Sequence, residues 1–258
     1  MRHMPMRLAF DDYLDALQLA GSGLQVAAGA AGLEAQVPTC AEWDVAELVA
    51  HQGMVHRWAA ANLRGEREPD TEESLAQART APDLLAWFAA GLEALTDTLR
   101  TTSDDAEAVV FLADAPVPRW FWARRQAHET TIHGVDAVSA VLARRPSASD
   151  VTIPAAVAVD GIDELLCGFV PRRSGRLRAD EPFTVAVRAT DTGDAWSMRI
   201  SADPVVTTPT DTVQPDAVLS GTAVQLYLGL WNRSDEIRAE GRADVLDLWR
   251  TQVRVRWS

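Results

Sequence analysis

The chain has 258 residues, 47% apolar and 24% charged, which excludes a disordered chain and leaves room for two domains that each bury a core. Its formal net charge of -13 opposes nucleic acid or an anionic membrane surface as partner, though a local arginine cluster still leaves small anions open. No lysine occurs, so all 24 basic residues are arginine, and Schiff-base or P-loop lysine chemistry is excluded.

In chain order, residues 8–33 read as a first helix with Leu14, Leu17 and Leu24 on its apolar face. A second helix begins near Trp43 and continues through LVAHQGMVHRWAAANL. Two capping boxes compete for its start, Thr39 with Glu42 and Asp44 with Glu47. RGEREPDTEES reads as a loop or frayed helix. A third helix runs from about Pro82 to Arg100, and a fourth from the prolines of ADAPVPRW to about Ala143. Four long helices read as a bundle over residues 1–146, and RRPSASD reads as a boundary.

Residues 150–258 read as a small α+β domain. A helix is expected over 154–170. FTVAVRAT and AWSMRIS alternate apolar and polar residues around DTGD, a hairpin pattern, and DAVLSG reads as a third strand. GTAVQLYLGLWNR reads as a helix, followed by a short strand around Ile237–Glu240 and a last helix in GRADVLDLWRTQV. The fold class is therefore α plus α+β.

Cys40 and Cys167 form no CxxC, which fits a reducing compartment, and the stretch MRHMPMRLAFDDYL holds no apolar signal core. No window approaches the roughly 18 apolar residues of a membrane span. The expected location is the cytoplasm, as a monomer or weak homodimer.

Histidine spacing carries the chemistry. His3 lies at the start and is set aside. On the fourth helix, Glu129 and His133 are four residues apart, about 40° around the helix, with Asp136 and Arg125 on the same stripe. His128 and His133 are about 140° apart, so HETTIH is not the zincin motif. The second helix offers His51 on the face of Leu48, Val55 and Trp58, while His56 points elsewhere. His51, Glu129 and His133 are thus candidate metal ligands, with Asp136 orienting His133. Taken alone, a Glu/His pair on a helix is more often a simple hydrogen bond than a site, Asp136 and Arg125 are more often solvated charges, and Trp58, Trp120 and Trp122 are most simply core or pocket wall.

WDVAELVAHQGMVHRWAA and WARRQAHETTIHGVDA together resemble the mycothiol-dependent maleylpyruvate isomerase family, whose metal domain is a DinB-like four-helix bundle. The resemblance implies a divalent metal, usually zinc, on His51, Glu129 and His133. It implies mycothiol, a small thiol of actinobacteria, as cosubstrate with a small-molecule electrophile. It also implies a sterol-carrier-like second domain whose helix ends on Arg233, a candidate catalytic residue. Beside these, Arg125 and Trp58 are candidate cofactor-binding residues, and Arg125 could join Arg233 in holding a substrate carboxylate. An isomerase and a thiol S-transferase both fit. A DinB-like hydrolase that uses water, or a non-catalytic metal-containing binding protein, are the alternatives.

Overall fold

The computed structural model describes residues 7–66, 70–112, 115–212 and 214–253, so His3 lies outside the described residues. The chain divides into two compact units. One holds Leu8–Phe111 and Ala115–Pro146; the other holds the chain from Ser147 onward, together with Arg7 and Leu112.

The first unit is helical: α1 (Phe10–Ala31), α2 (Val45–Leu63), α3 (Thr71–Thr80), α4 (Leu84–Thr101) and α5 (Pro118–Leu142). The capping ambiguity resolves in favour of Asp44. Its Oδ1 accepts from Glu47 N at 2.8 Å, and Asp44 N donates to Glu47 Oε2 at 3.0 Å. This satisfies donors that an uncapped helix start would leave orphaned. Of the segment read as a loop or frayed helix, the end is helical: Asp70 caps α3, its Oδ1 accepting from Glu73 N at 2.8 Å.

Leu24, Ala28, Val37, Val45, Leu48, Val49, Phe88 and Ala137 form a core shared by α1, α2, α4 and α5. α1 packs along α5, and α2 packs against both α4 and α5. α5 differs in kind from its neighbours. It is buried almost throughout, yet carries Arg124, Arg125, Gln126, His128, Glu129, Thr130, Thr131, His133, Asp136 and Ser139 as buried groups. Buried polar side chains at this density require partners, and they are what distinguishes a site from a core. α5 ends on Ala143, whose φ of 51° is left-handed. Ala143 N donates to Ala140 O and Arg144 N to Ser139 O, closing the turn as a Schellman motif.

The second unit holds α6 (Ala155–Asp163), which continues as a π-helical stretch over Glu164–Phe169, then β1 (Phe183–Ala189), β2 (Ala195–Ile200), β3 (Val206–Thr208), β4 (Ala217–Gly221), α7 (Ala223–Leu230), β5 (Arg238–Gly241) and α8 (Val245–Gln252). The sheet order is β3-β2-β1-β4-β5. β1 pairs antiparallel with β2, Val187 opposite Trp196, and parallel with β4, Val187 opposite Leu219. The buried residues Val185, Val187, Trp196, Met198 and Leu219 mark the core face, as period-two alternation requires. DAVLSG is therefore the fourth strand in chain order. The three-residue β3 that precedes it is too short to show alternation in the sequence.

Arg7 is fastened to this unit. It donates to Asp194 Oδ1 at 2.6 Å and to the buried Asp163 Oδ1 at 3.4 Å, and its guanidinium lies 5.3 Å from the centre of the Trp196 ring. Trp196 Nε1 also donates to Asp163 Oδ1 at 2.9 Å. No described helix is long and apolar enough to cross a membrane.

Candidate metal centre

The helical unit brings three candidate ligands to one point. α2 supplies His51 and α5 supplies Glu129 and His133. One ligand atom from each lies within 4.8 Å of the others. The helix explains the α5 pair directly, since residues four apart sit one above the other on a face.

The electrostatics of the trio are unbalanced as the polypeptide leaves them. His51 Nε2 and Glu129 Oε1 are both buried and have no hydrogen-bond partner. His133 Nε2 lies 3.3 Å from Glu129 Oε1, near enough for an ion pair but outside hydrogen-bond geometry. An orphaned buried polar atom costs about 1–3 kcal/mol, so His51 Nε2, converging with the Glu129–His133 pair on one spot, calls for a partner there. An imidazole nitrogen and a carboxylate oxygen are both ligands that divalent transition metals accept.

The neighbours fix which atoms remain available. Arg125 Nη2 donates to Glu129 Oε2 at 2.8 Å, so that oxygen is occupied and Oε1 is the one left. Arg125 therefore sits in the site but engages Glu129. Asp136 Oδ2 lies 3.0 Å from His133 Nδ1, which leaves His133 Nε2 facing the trio. Asp136 is in turn gripped by the loop between α1 and α2. Thr39 Oγ1 donates to Asp136 Oδ1 at 2.6 Å, and Cys40 Sγ approaches Oδ2 at 3.5 Å. Thr39 is thus no helix cap: its hydroxyl belongs to α5.

Three groups titrate far from their ordinary values. Burial, reinforced by the charge of His133, pushes the His51 pKa down to about 4. Burial would raise the Glu129 carboxyl, but the Arg125 guanidinium and His133 pull it down to about 2. Burial would lower His133, but its contacts with Asp136 and Glu129 raise it to about 9. Glu129 and Asp136 are two anions against the single guanidinium of Arg125. The carboxylates that hold a proton on His133 would equally favour a metal ion in its place.

Trp43 went unnoticed in the sequence beyond marking a helix start. Its ring centre is 4.8 Å from that of His51 and 5.8 Å from that of His133, so it packs on both imidazoles. Nothing in its spacing from either histidine signals this, because the α1–α2 loop carries it there. Trp58 sits in an aromatic cluster, 4.9 Å from the Trp122 ring centre and 6.4 Å from that of Phe111. His128 packs edge-on to Tyr13 and is not among the ligands. Arg233 lies in the second unit, just past α7. Asn232 there takes a left-handed φ of 60°, and Arg233 N donates to Leu228 O at 2.8 Å in a Schellman turn. Its Nη1 donates to Trp231 O at 2.9 Å.

A helical bundle with a buried His–Glu–His trio, followed in the chain by a small α+β unit with a mixed sheet, defines the class. Comparison with known proteins narrows it. Residues 18–138 match the model of the mycothiol maleylpyruvate isomerase N-terminal domain, and residues 156–248 match that of the MDMPI C-terminal domain. The chain belongs to the mycothiol-dependent maleylpyruvate isomerase family. Two solved structures, the mycothiol-dependent maleylpyruvate isomerase and a histidine-to-alanine mutant of it, share the fold. Each has a TM-score of 0.61 and 19% identity over 90% of this chain and 93% of the other. No curated protein is significantly similar in sequence.

Proposed function

We propose that the chain is a metal-dependent enzyme that uses mycothiol on a small electrophilic substrate, as an isomerase or a thiol S-transferase. The observation that carries the reading is the convergence of the unpartnered, buried His51 Nε2 with the Glu129 carboxylate and the His133 imidazole, one ligand atom from each within 4.8 Å of the others. These three residues would hold a divalent metal, zinc in the first instance. When bound there, the metal would supply the positive charge that stabilises a thiolate near neutral pH.

The chain's own residues divide the remaining work. Asp136 holds the Nδ1 side of His133, so Nε2 is the nitrogen that would give up its proton and offer its lone pair to the centre. Arg125 occupies Glu129 Oε2 and holds that carboxylate ionised. Trp43 fixes both imidazole planes by packing. Arg233 is proposed to hold a substrate carboxylate, for which a guanidinium is suited by its paired donors. Trp58 is proposed as an apolar contact for the cosubstrate. In an isomerisation the thiolate adds to one carbon of a cis double bond, the new single bond rotates, and elimination of the same thiolate leaves the trans alkene. The thiol is then regenerated and no co-reactant is consumed.

The test is the metal content of the purified protein and of His51→Ala, followed by turnover of a maleylpyruvate-like substrate with and without mycothiol. About one metal per chain in the parent, lost in the variant, together with thiol-dependent turnover, supports the reading. A parent that takes up no zinc even after incubation with it overturns the reading.

A further inference from the structure

Beside the candidate ligands lies a second set of buried polar groups that the proposed reaction does not use. Gln52 follows His51 on α2, and Thr130 follows Glu129 on α5. His56 stands one turn beyond Gln52. All three side chains are fully enclosed. Gln52 Nε2 donates to Thr130 Oγ1 at 3.0 Å, His56 Nε2 lies 2.9 Å from the same hydroxyl, and Gln52 Nε2 and His56 Nε2 are 2.9 Å apart. Phe88 of α4 packs on the His56 ring, with ring centres 5.3 Å apart.

The placement matters more than the bonds. Successive residues turn by about 100° along a helix, so Gln52 and Thr130 point to one side of the ligands they follow. They meet each other where α2 and α5 face. A single hydroxyl on α5 therefore receives two groups from α2. Rotating or sliding α2 breaks both contacts and carries His51 away from Glu129 by the same motion. The aliphatic and aromatic packing between the helices tolerates small slips that directional bonds do not.

We infer that Gln52, His56 and Thr130 are a clasp between α2 and α5 that sets the position of His51 against Glu129 and His133. They are positioning residues, and the inference rests on the metal reading above. Burial agrees with the role: it pushes the His56 pKa down to about 3, so the ring stays a neutral hydrogen-bonding group throughout the working range.

The experiment uses the full chain stripped of metal and then titrated with zinc(II) against a chromophoric chelator, and with cobalt(II) read by its visible absorption. Thr130→Val keeps the volume and removes the hydroxyl; Thr130→Ser keeps the hydroxyl. The valine variant should bind zinc about tenfold more weakly and shift the cobalt spectrum, while the serine variant keeps both parent values. A role in folding alone would lower the stability of Thr130→Val without moving the cobalt bands of the folded fraction, and that outcome overturns the clasp. So does a valine variant with parent affinity and spectrum. Should Thr130→Val not fold, Gln52→Met takes the same two measurements, with the same outcomes. A parent that takes up neither ion overturns the metal reading and the clasp together; a parent whose uptake is lost in His51→Ala but unchanged in the clasp variants overturns the clasp alone.

Discussion

Replacing Asp136 by Asn tests how the candidate centre is oriented while leaving all three ligands in place. Asp136 is buried and accepts on both oxygens, from the Thr39 hydroxyl at 2.6 Å and on the side of His133 Nδ1 at 3.0 Å. An amide has the same shape but only one accepting atom. Whichever way it turns, either the Thr39 hydroxyl or the His133 N–H meets an NH2 group. If His133 is the loser, its proton moves to Nε2, the nitrogen that faces Glu129. If Thr39 is the loser, His133 keeps only a neutral acceptor. Hydrogen bonds to charged groups contribute about 1.5–3 kcal/mol. That is about a 10–100-fold loss of metal affinity, the same range found when an outer partner of a ligating histidine is removed. The assay is zinc competition against a chelator at neutral pH, with far-UV circular dichroism to confirm folding. An Asn variant that is folded and binds zinc within about threefold of the parent would refute the reasoning, because it would show that Asp136 does not govern His133.

Two further outcomes concern stability. His56 titrates near 3 in the fold against an ordinary 6.5, so between those values the unfolded chain binds a proton that the fold refuses. Stability is therefore lost as the pH falls below 6.5, by about 2 kcal/mol from this residue alone between pH 7 and pH 5, and urea unfolding of the metal-free protein should show a shallower pH slope for His56→Leu than for the parent. Ala143 closes α5 in a left-handed conformation and is exposed, so Ala143→Gly should raise stability by about 0.5–1 kcal/mol in the same unfolding assay; an unchanged or lower midpoint would contradict the strain argument.

The parts of this molecule that were legible in the sequence are those governed by local period. Four-residue spacing puts Glu129 and His133 on one face, the Leu48–His51–Val55 stripe turns His51 inward, and alternation marks β1 and β2. The parts that were not legible depend on chain segments far apart in sequence. Thr39 and Cys40 reach Asp136 across about a hundred residues, and the pattern TCAE around Thr39 suggests a helix cap that the fold does not use. Trp43 carries no periodic signal at all. Gln52 and His56 are an i,i+4 pair and could have been noticed, but their partner Thr130 lies on another helix. The same is true of Arg125. Its stripe was readable, yet its engagement of Glu129 Oε2 follows from the rotamers of a buried pair rather than from spacing. In the sheet, β3 is too short to alternate, and the parallel pairing of β1 with β4 leaves no local trace.

The fastening of Arg7 changes what counts as a transferable module here. The second family segment begins at residue 156 in sequence, yet the guanidinium against its buried Asp163 is supplied by a residue that precedes the whole bundle. A fragment cut at 147 would carry Asp163 into its core without that cation, and a chimera that swapped only the later segment would pair a new core with the old Arg7. Recombination in this architecture therefore has to move the head of the chain together with its tail, so the bundle behaves as an insertion within the second unit rather than as a bead in front of it.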